Sequence, residues 1–271
     1  MKLKQRRHGN ARRRPGRPTK RRPANALAAR MLLGGILVCV GLCMLAAGAT
    51  LVAPQLCEVP VGLARARKVR ELSAPAHGSS TGVAWQRVSE ACPDAVAWLE
   101  VPGAGIDLPV MRPTPEDPCF YLKHSAEGLP SPAGAPFMPC ETDPDNTHAL
   151  VYGHNLAGTG AMFSPLRTCH EQEKFADVLA GGTRWTTSAG EISFRPLCAS
   201  VVRSDNAEVQ RMSFANDEDL REWLRSRISS STAVAEDARE RAATAQRALT
   251  LVTCSSTTPG QPTRTVVTFV A

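Results

Sequence analysis

Near its C-terminus the chain carries TLVTCSSTTPGQPTRTVVTFV, Thr250–Val270, and this stretch leaves little freedom of fold. Two β-rich runs, Ala248–Cys254 and Thr263–Val270, flank a connector, Ser255–Pro262, that holds two prolines, a glycine and four hydroxyl residues. The pattern predicts a β-hairpin with a long loop. Antiparallel pairing would bring Cys254, which ends the first strand, and Arg264, which begins the second, to one end of a sheet beside a loop that a peptide can reach. A thiol beside a fixed positive charge suggests a cysteine nucleophile. The alternative is a buried structural cysteine with a surface arginine.

Upstream, short apolar runs are separated by turn signals: Ala97–Val101, Ile106–Met111, Ala135–Met138, His148–Gly153, Arg184–Thr187 and Ile192–Val202. With the terminal pair these make about eight strands in roughly 190 residues, which argues for a mainly β, antiparallel-rich barrel, closed or half-closed, with inserted helices. One helix is well marked. Asn216 is placed as its N-cap, Asp217, Glu218 and Asp219 suit its positive end, and Leu220, Trp223, Leu224 and Ile228 form its apolar stripe. Val234–Gln246 is Ala-rich and charged and reads as a second helix.

The N-terminal region is of another kind. The formal charge of +7 misleads, because residues 1–30 hold twelve Lys/Arg and no acid, leaving 20 basic against 25 acidic residues beyond them. The cationic footprint lies on a tail rather than a folded face, so a nucleic-acid partner is not expected. Met31–Ala53 carries no charge over twenty-three residues, enough for a transmembrane helix of roughly 35 Å. A cleaved secretory signal ending near Ala47-Gly48-Ala49 is the competing reading. The excess of cations before the span predicts a cytoplasmic N-terminus, drawn to membrane lipid, with residues 54–271 outside. The expected division is a basic tail (1–30), a transmembrane helix (31–53), a stalk (54–82) with a helical piece near Val61–Leu72, and a catalytic domain (83–271).

Seven of the nine cysteines lie beyond the span. No C-x-x-C pair occurs among them, so neither a metal nor a cofactor is expected. Outside the membrane oxidation is the default, and at least one disulfide is expected among Cys57, Cys92, Cys119, Cys140, Cys169 and Cys198, with Cys254 free. A cysteine nucleophile needs a proton carrier, normally a histidine. His8 lies in the tail and His77 in the stalk, while His124, His148 and His170 sit among polar residues and read as solvated. His154 follows the apolar strand Ala149–Tyr152 and opens a loop, where a rigid scaffold meets substrate access.

Leu150-Val151-Tyr152-Gly153-His154-Asn155, followed by Gly160-x-Met162-Phe163-x-x-Leu166, resembles the histidine motif of class B sortases. Thr250-Leu251-Val252-Thr253-Cys254 and Arg264 resemble their cysteine and arginine motifs, in the same order. Weaker similarity runs back through Ala97-Trp98-Leu99, Ile106–Val110, Tyr121-Leu122 and Gly134–Phe137; where the family often has Asn three residues before the Tyr-Leu pair, this chain has Pro118. The resemblance implies a closed eight-stranded sortase barrel and a transpeptidase with His154, Cys254 and Arg264 at its centre. It also implies the partners: secreted proteins bearing a C-terminal sorting signal, and an amine of a peptidoglycan precursor or a pilin. A membrane-anchored cysteine peptidase acting on wall peptides, or a catalytically silent peptide-binding assembly factor, would be the alternatives.

Overall fold

The computed structural model describes Met44 and residues 59–73, 84–156, 158–258 and 260–271. The basic tail, the apolar span apart from Met44, and Cys57 and His77 therefore lie outside the described residues. Among the described residues no helix is long and apolar enough to cross a membrane.

The order of elements is α1 (residues 59–73), α2 (Trp85–Ala91), β1 (Ala95–Val101), β2 (Ile106–Met111), β3 (His148–Tyr152), α3 (Gln172–Leu179), β4 (Thr183–Thr187), β5 (Gly190–Arg203), α4 (Asp217–Ser229), β6 (Ala233–Val234), α5 (Ala238–Thr244), β7 (Ala248–Cys254) and β8 (Thr263–Val270). One mainly β sheet runs in the order β2-β1-β4-β5-β8-β7-β3, with β6 paired to β5. The terminal hairpin forms as its sequence predicts, with Cys254 opposite Arg264. The β3–β7 pair is parallel, and its register matches His148 to Ala248 through Tyr152 to Val252.

The closed barrel is corrected to a curled half-barrel. Its two end strands, β2 and β3, are joined only by isolated bridges, in which Phe137 meets Met111 on one side and Tyr152 on the other. Pro136 and Pro139 flank this bridging residue, and a chain without their N–H groups cannot carry a full ladder there. The expected strand Ala135–Met138 is thus a short seam.

The concave side holds Leu99, Val101, Trp185, Leu249, Leu251, Val267 and Phe269, all fully buried. The opposite side of β5, β7 and β8 is covered by α4 and α5 through Leu220, Trp223, Leu224, Ala238 and Ala242. Asn216 caps α4, its side chain accepting from the Asp219 N–H at 3.0 Å. The second expected helix starts later than its composition suggests. Val234 pairs with Cys198 as part of β6, and Gln172 bonds its N–H and carbonyl, so helix begins only at Ala238. The helix α1 packs against the domain through buried Val69, in a cluster with Val88, Trp98 and Tyr121, and Arg70 pairs with Asp107.

Candidate active site

The parallel register of β3 and β7 sets the geometry of the site. Tyr152 pairs with Val252, and side chains two residues apart on a strand share a face. His154 and Cys254, each two residues further on, therefore emerge side by side where the two strands end. Both line a groove of about 720 Å³, together with Tyr152, Val252 and Arg264. The ladder extends just past the strands, because the Gly153 N–H donates to the Val252 carbonyl (3.0 Å) and the Thr253 hydroxyl to the Gly153 carbonyl (2.9 Å). Gly153 is required here, since a Cβ would lie 2.6 Å from the ring of Phe163.

His154 is held from the far side. Its Nε2 lies 2.8 Å from the carbonyl oxygen of Leu122. A carbonyl only accepts, so Nε2 carries the hydrogen, and Nδ1 is the nitrogen left to exchange protons with a substrate. Gly134 packs on the ring: with φ at +63°, a Cβ there would stand 2.8 Å from His154 Cδ2 and 2.6 Å from the Tyr121 carbonyl. The sequence signal at Gly134-Ala135-Pro136-Phe137 thus marks the wall of the histidine site as well as the seam of the sheet.

Cys254 is half-buried in the groove wall. Arg264 faces it across the hairpin, and its Nη1 donates to the carbonyls of Gln261 and Thr263, each at 2.9 Å. The charge of Arg264 is felt in the groove. Burial raises the Tyr152 phenol pKa, and Arg264 opposes that rise.

Asn155 was legible only as part of a motif, and its position is informative. Its amide nitrogen donates to the carbonyls of Cys254 and Ser256, both at 3.1 Å. The other described histidines take no part in the groove lining. His124 stacks on Phe120, and His170 bonds the Arg167 carbonyl. The solvated reading of His148 is corrected: it is fully buried, its Nδ1 at 2.7 Å from the Arg211 carbonyl and its Nε2 at 2.8 Å from the Thr250 hydroxyl. Burial lowers its pKa to about 4.

The expected disulfide is also corrected among the described residues, where all six cysteines are free. Cys92, Cys169 and Cys198 are buried in three separate core clusters, and none is paired. Cys119 and Cys140 line the same groove as Cys254. Among the described residues no group of three His, Cys, Asp or Glu side chains is placed to hold a metal ion.

No protein-family model matches the sequence, and no curated protein matches it. Solved structures do match. Clostridium perfringens sortase B is similar at 23% identity and TM-score 0.59, over 69% of this chain and 98% of that one. Staphylococcus aureus sortase B is similar at 20% identity and TM-score 0.62, over 79% and 97%. A structure of sortase B complexed with triglycine matches at 21% identity and TM-score 0.57, over 69% and 84%. At these identities the likeness is one of fold, and its content is specific: the chain has the sortase fold, with class B sortases as the sortases it resembles.

Proposed function

We propose that the chain is a sortase-type cysteine transpeptidase, and the observation that carries this reading is the groove shared by His154 and Cys254, at the matched ends of β3 and β7, and Arg264, at the start of β8. The Cys254 thiolate attacks the carbonyl carbon of a scissile peptide bond, giving a tetrahedral oxyanion. His154, protonated at Nδ1, gives its proton to the leaving amine as the C–N bond breaks, and a thioacyl enzyme remains. An incoming amine then attacks the thioester while His154 takes its proton. The product is a new amide bond, with Cys254 regenerated.

Arg264 presents its fork to the oxyanion or to a substrate backbone carbonyl. Its Nη1 bonds to Gln261 and Thr263 hold the guanidinium in place, and this preorganisation favours directed rather than diffuse stabilisation. The substrates in this reading are secreted proteins with a C-terminal sorting signal, and the acceptor is an amine of the cell wall or a pilin. Structures of the similar S. aureus sortase B with a substrate, and of sortase B with triglycine, support a peptide and an amine as the two ligands. The enzyme is anchored by residues 31–53, with its catalytic domain outside the cell membrane.

Incubation with sorting-signal peptides and an amine acceptor tests the reading. A ligated product supports it. Hydrolysis that no acceptor diverts would identify a cysteine peptidase, and binding without turnover a silent assembly factor.

A further inference from the structure

On the β3 side, the parallel ladder with β7 donates its last backbone bond at Gly153. In a parallel ladder the N–H donors of one strand recur at every second residue, so after Gly153 N–H to Val252 carbonyl the next rung donated from the β3 side would run from the N–H of residue 155 to the carbonyl of Cys254. That rung is missing because the chain turns away after Gly153. The His154 carbonyl accepts from Phe163 N–H (3.0 Å), Asn155 bridges to Met162, and Leu156 N–H donates to the Ser164 hydroxyl (2.8 Å), so the backbone closes on its own loop. The Asn155 side chain supplies the lost bond. Its amide nitrogen lies 3.1 Å from the Cys254 carbonyl and 3.1 Å from that of Ser256, one N–H for each.

We propose that Asn155 is a positioning residue for Cys254: its carboxamide replaces the last rung of the ladder and fixes the separation between the backbones that carry His154 and Cys254. Both accepting carbonyls flank Ser255, where β7 passes into the long connector. The opposite side of that junction is tied by the Ser255 hydroxyl to the Thr263 hydroxyl at 2.6 Å. Asn155 is the tie on the histidine side. Without it, Cys254 follows the movements of the connector, and small misplacements of a nucleophile are costly in rate.

The kinetic part of this proposal rests on the transpeptidase reading, whereas the thiol's environment can be measured without it. Asn155→Leu is close in size and has no N–H. Asn155→Asp keeps the shape but sets a carboxylate against two carbonyls. For each, three quantities are measured on the full chain: kcat and KM, the thermal melt, and the pH dependence of Cys254 alkylation by iodoacetamide, followed by mass spectrometry of the Cys254 peptide.

Both variants are expected to lower kcat roughly 10–100-fold with KM within about twofold, and to displace the alkylation profile. If Asn155→Leu does not fold, Asn155→Asp carries the same expectation. Wild-type kcat in either folded variant overturns the proposal. So does a loss of kcat that follows the melt while the alkylation profile stays that of the wild type, since that pattern is structural only. A displaced profile in a protein that transfers no peptide would leave Asn155 as a positioning residue and remove the transpeptidase reading.

Discussion

His154 and Cys254 stand at equivalent distances along two parallel strands, each two residues past the last paired position, Tyr152 with Val252. The fold thereby places an imidazole and a thiol that are 100 residues apart in sequence along one groove. Two substitutions separate their roles. Cys254→Ala removes the attacking atom and is expected to abolish both acyl-enzyme formation and turnover. His154→Ala leaves the thiol but removes proton transfer to the leaving amine, so kcat should fall by roughly 10²–10⁴. Steady-state kinetics check both, and near-normal transfer by His154→Ala would remove the histidine from the mechanism.

Arg264 is expected to act through directed bonds rather than through charge alone. Its Nη1 already bridges two carbonyls of the connector, and a lysine ammonium cannot both make those bonds and present a planar fork to the groove. Arg264→Lys should therefore lose nearly as much kcat as Arg264→Ala. A lysine variant close to wild type would reduce Arg264 to a diffuse positive charge.

Gly134 limits how closely the Tyr121–Leu122 segment and the His154 ring can approach. In Gly134→Ala the new methyl meets the Tyr121 carbonyl and His154 Cδ2 in a left-handed backbone conformation, which costs roughly 1–2 kcal/mol for an L-residue before any clash. The expected result is a lower melting temperature together with a kcat reduced more than the melt accounts for. Wild-type kinetics in this variant would show that the His154 ring is not constrained from that side.

How much of this was legible in the sequence depends on the range of the interaction. Local patterns were legible: the terminal hairpin, the Asn216 cap and the stripe of α4 depend on turn chemistry and periodicity within a few residues. The parallel pairing of β3 with β7 was not, because both strands are buried on both faces and nothing in either sequence gives the register. The residues alone offered Cys254, Arg264 and His154 as candidates, and the motif resemblance joined them into one site. His148 was misread because its neighbours before β3 are polar, while its burial comes from Phe214 and Trp223, distant in sequence. Half-closure turned on two prolines flanking Phe137, whose strand-like composition hid how few bonds the seam makes.

Stability should depend on acid through His148. Its folded pKa is depressed to about 4 from the ordinary 6.5 by burial, so the unfolded chain takes up a proton that the folded chain refuses. The contribution of this group is complete above about pH 6.5, is lost progressively as the pH falls towards about 4, and then levels off, a total on the order of 3 kcal/mol. Denaturant midpoints measured across that range, for wild type and His148→Gln, check it. An equal acid slope in the two proteins would rule His148 out as the source.

The thiols divide by reactivity. Burial pushes Cys92 and Cys169 up to about 12 and raises Cys198, so these three should resist alkylation in the native protein and label only on unfolding. Cys119 and Cys140, in the groove lining, should label with Cys254 under native conditions. Mass mapping decides this, and a native disulfide involving any of the three buried thiols would contradict the described packing.

Mass spectrometry of the full chain, mixed with sorting-signal peptides and then chased with an amine acceptor, tests the central claim most directly. The predicted result is an acyl adduct on the Cys254 peptide that disappears on addition of the amine while a ligated product accumulates in step, with neither species formed by Cys254→Ala. Turnover that proceeds in Cys254→Ala, or a cleaved peptide with no adduct and no response to the amine, would contradict it.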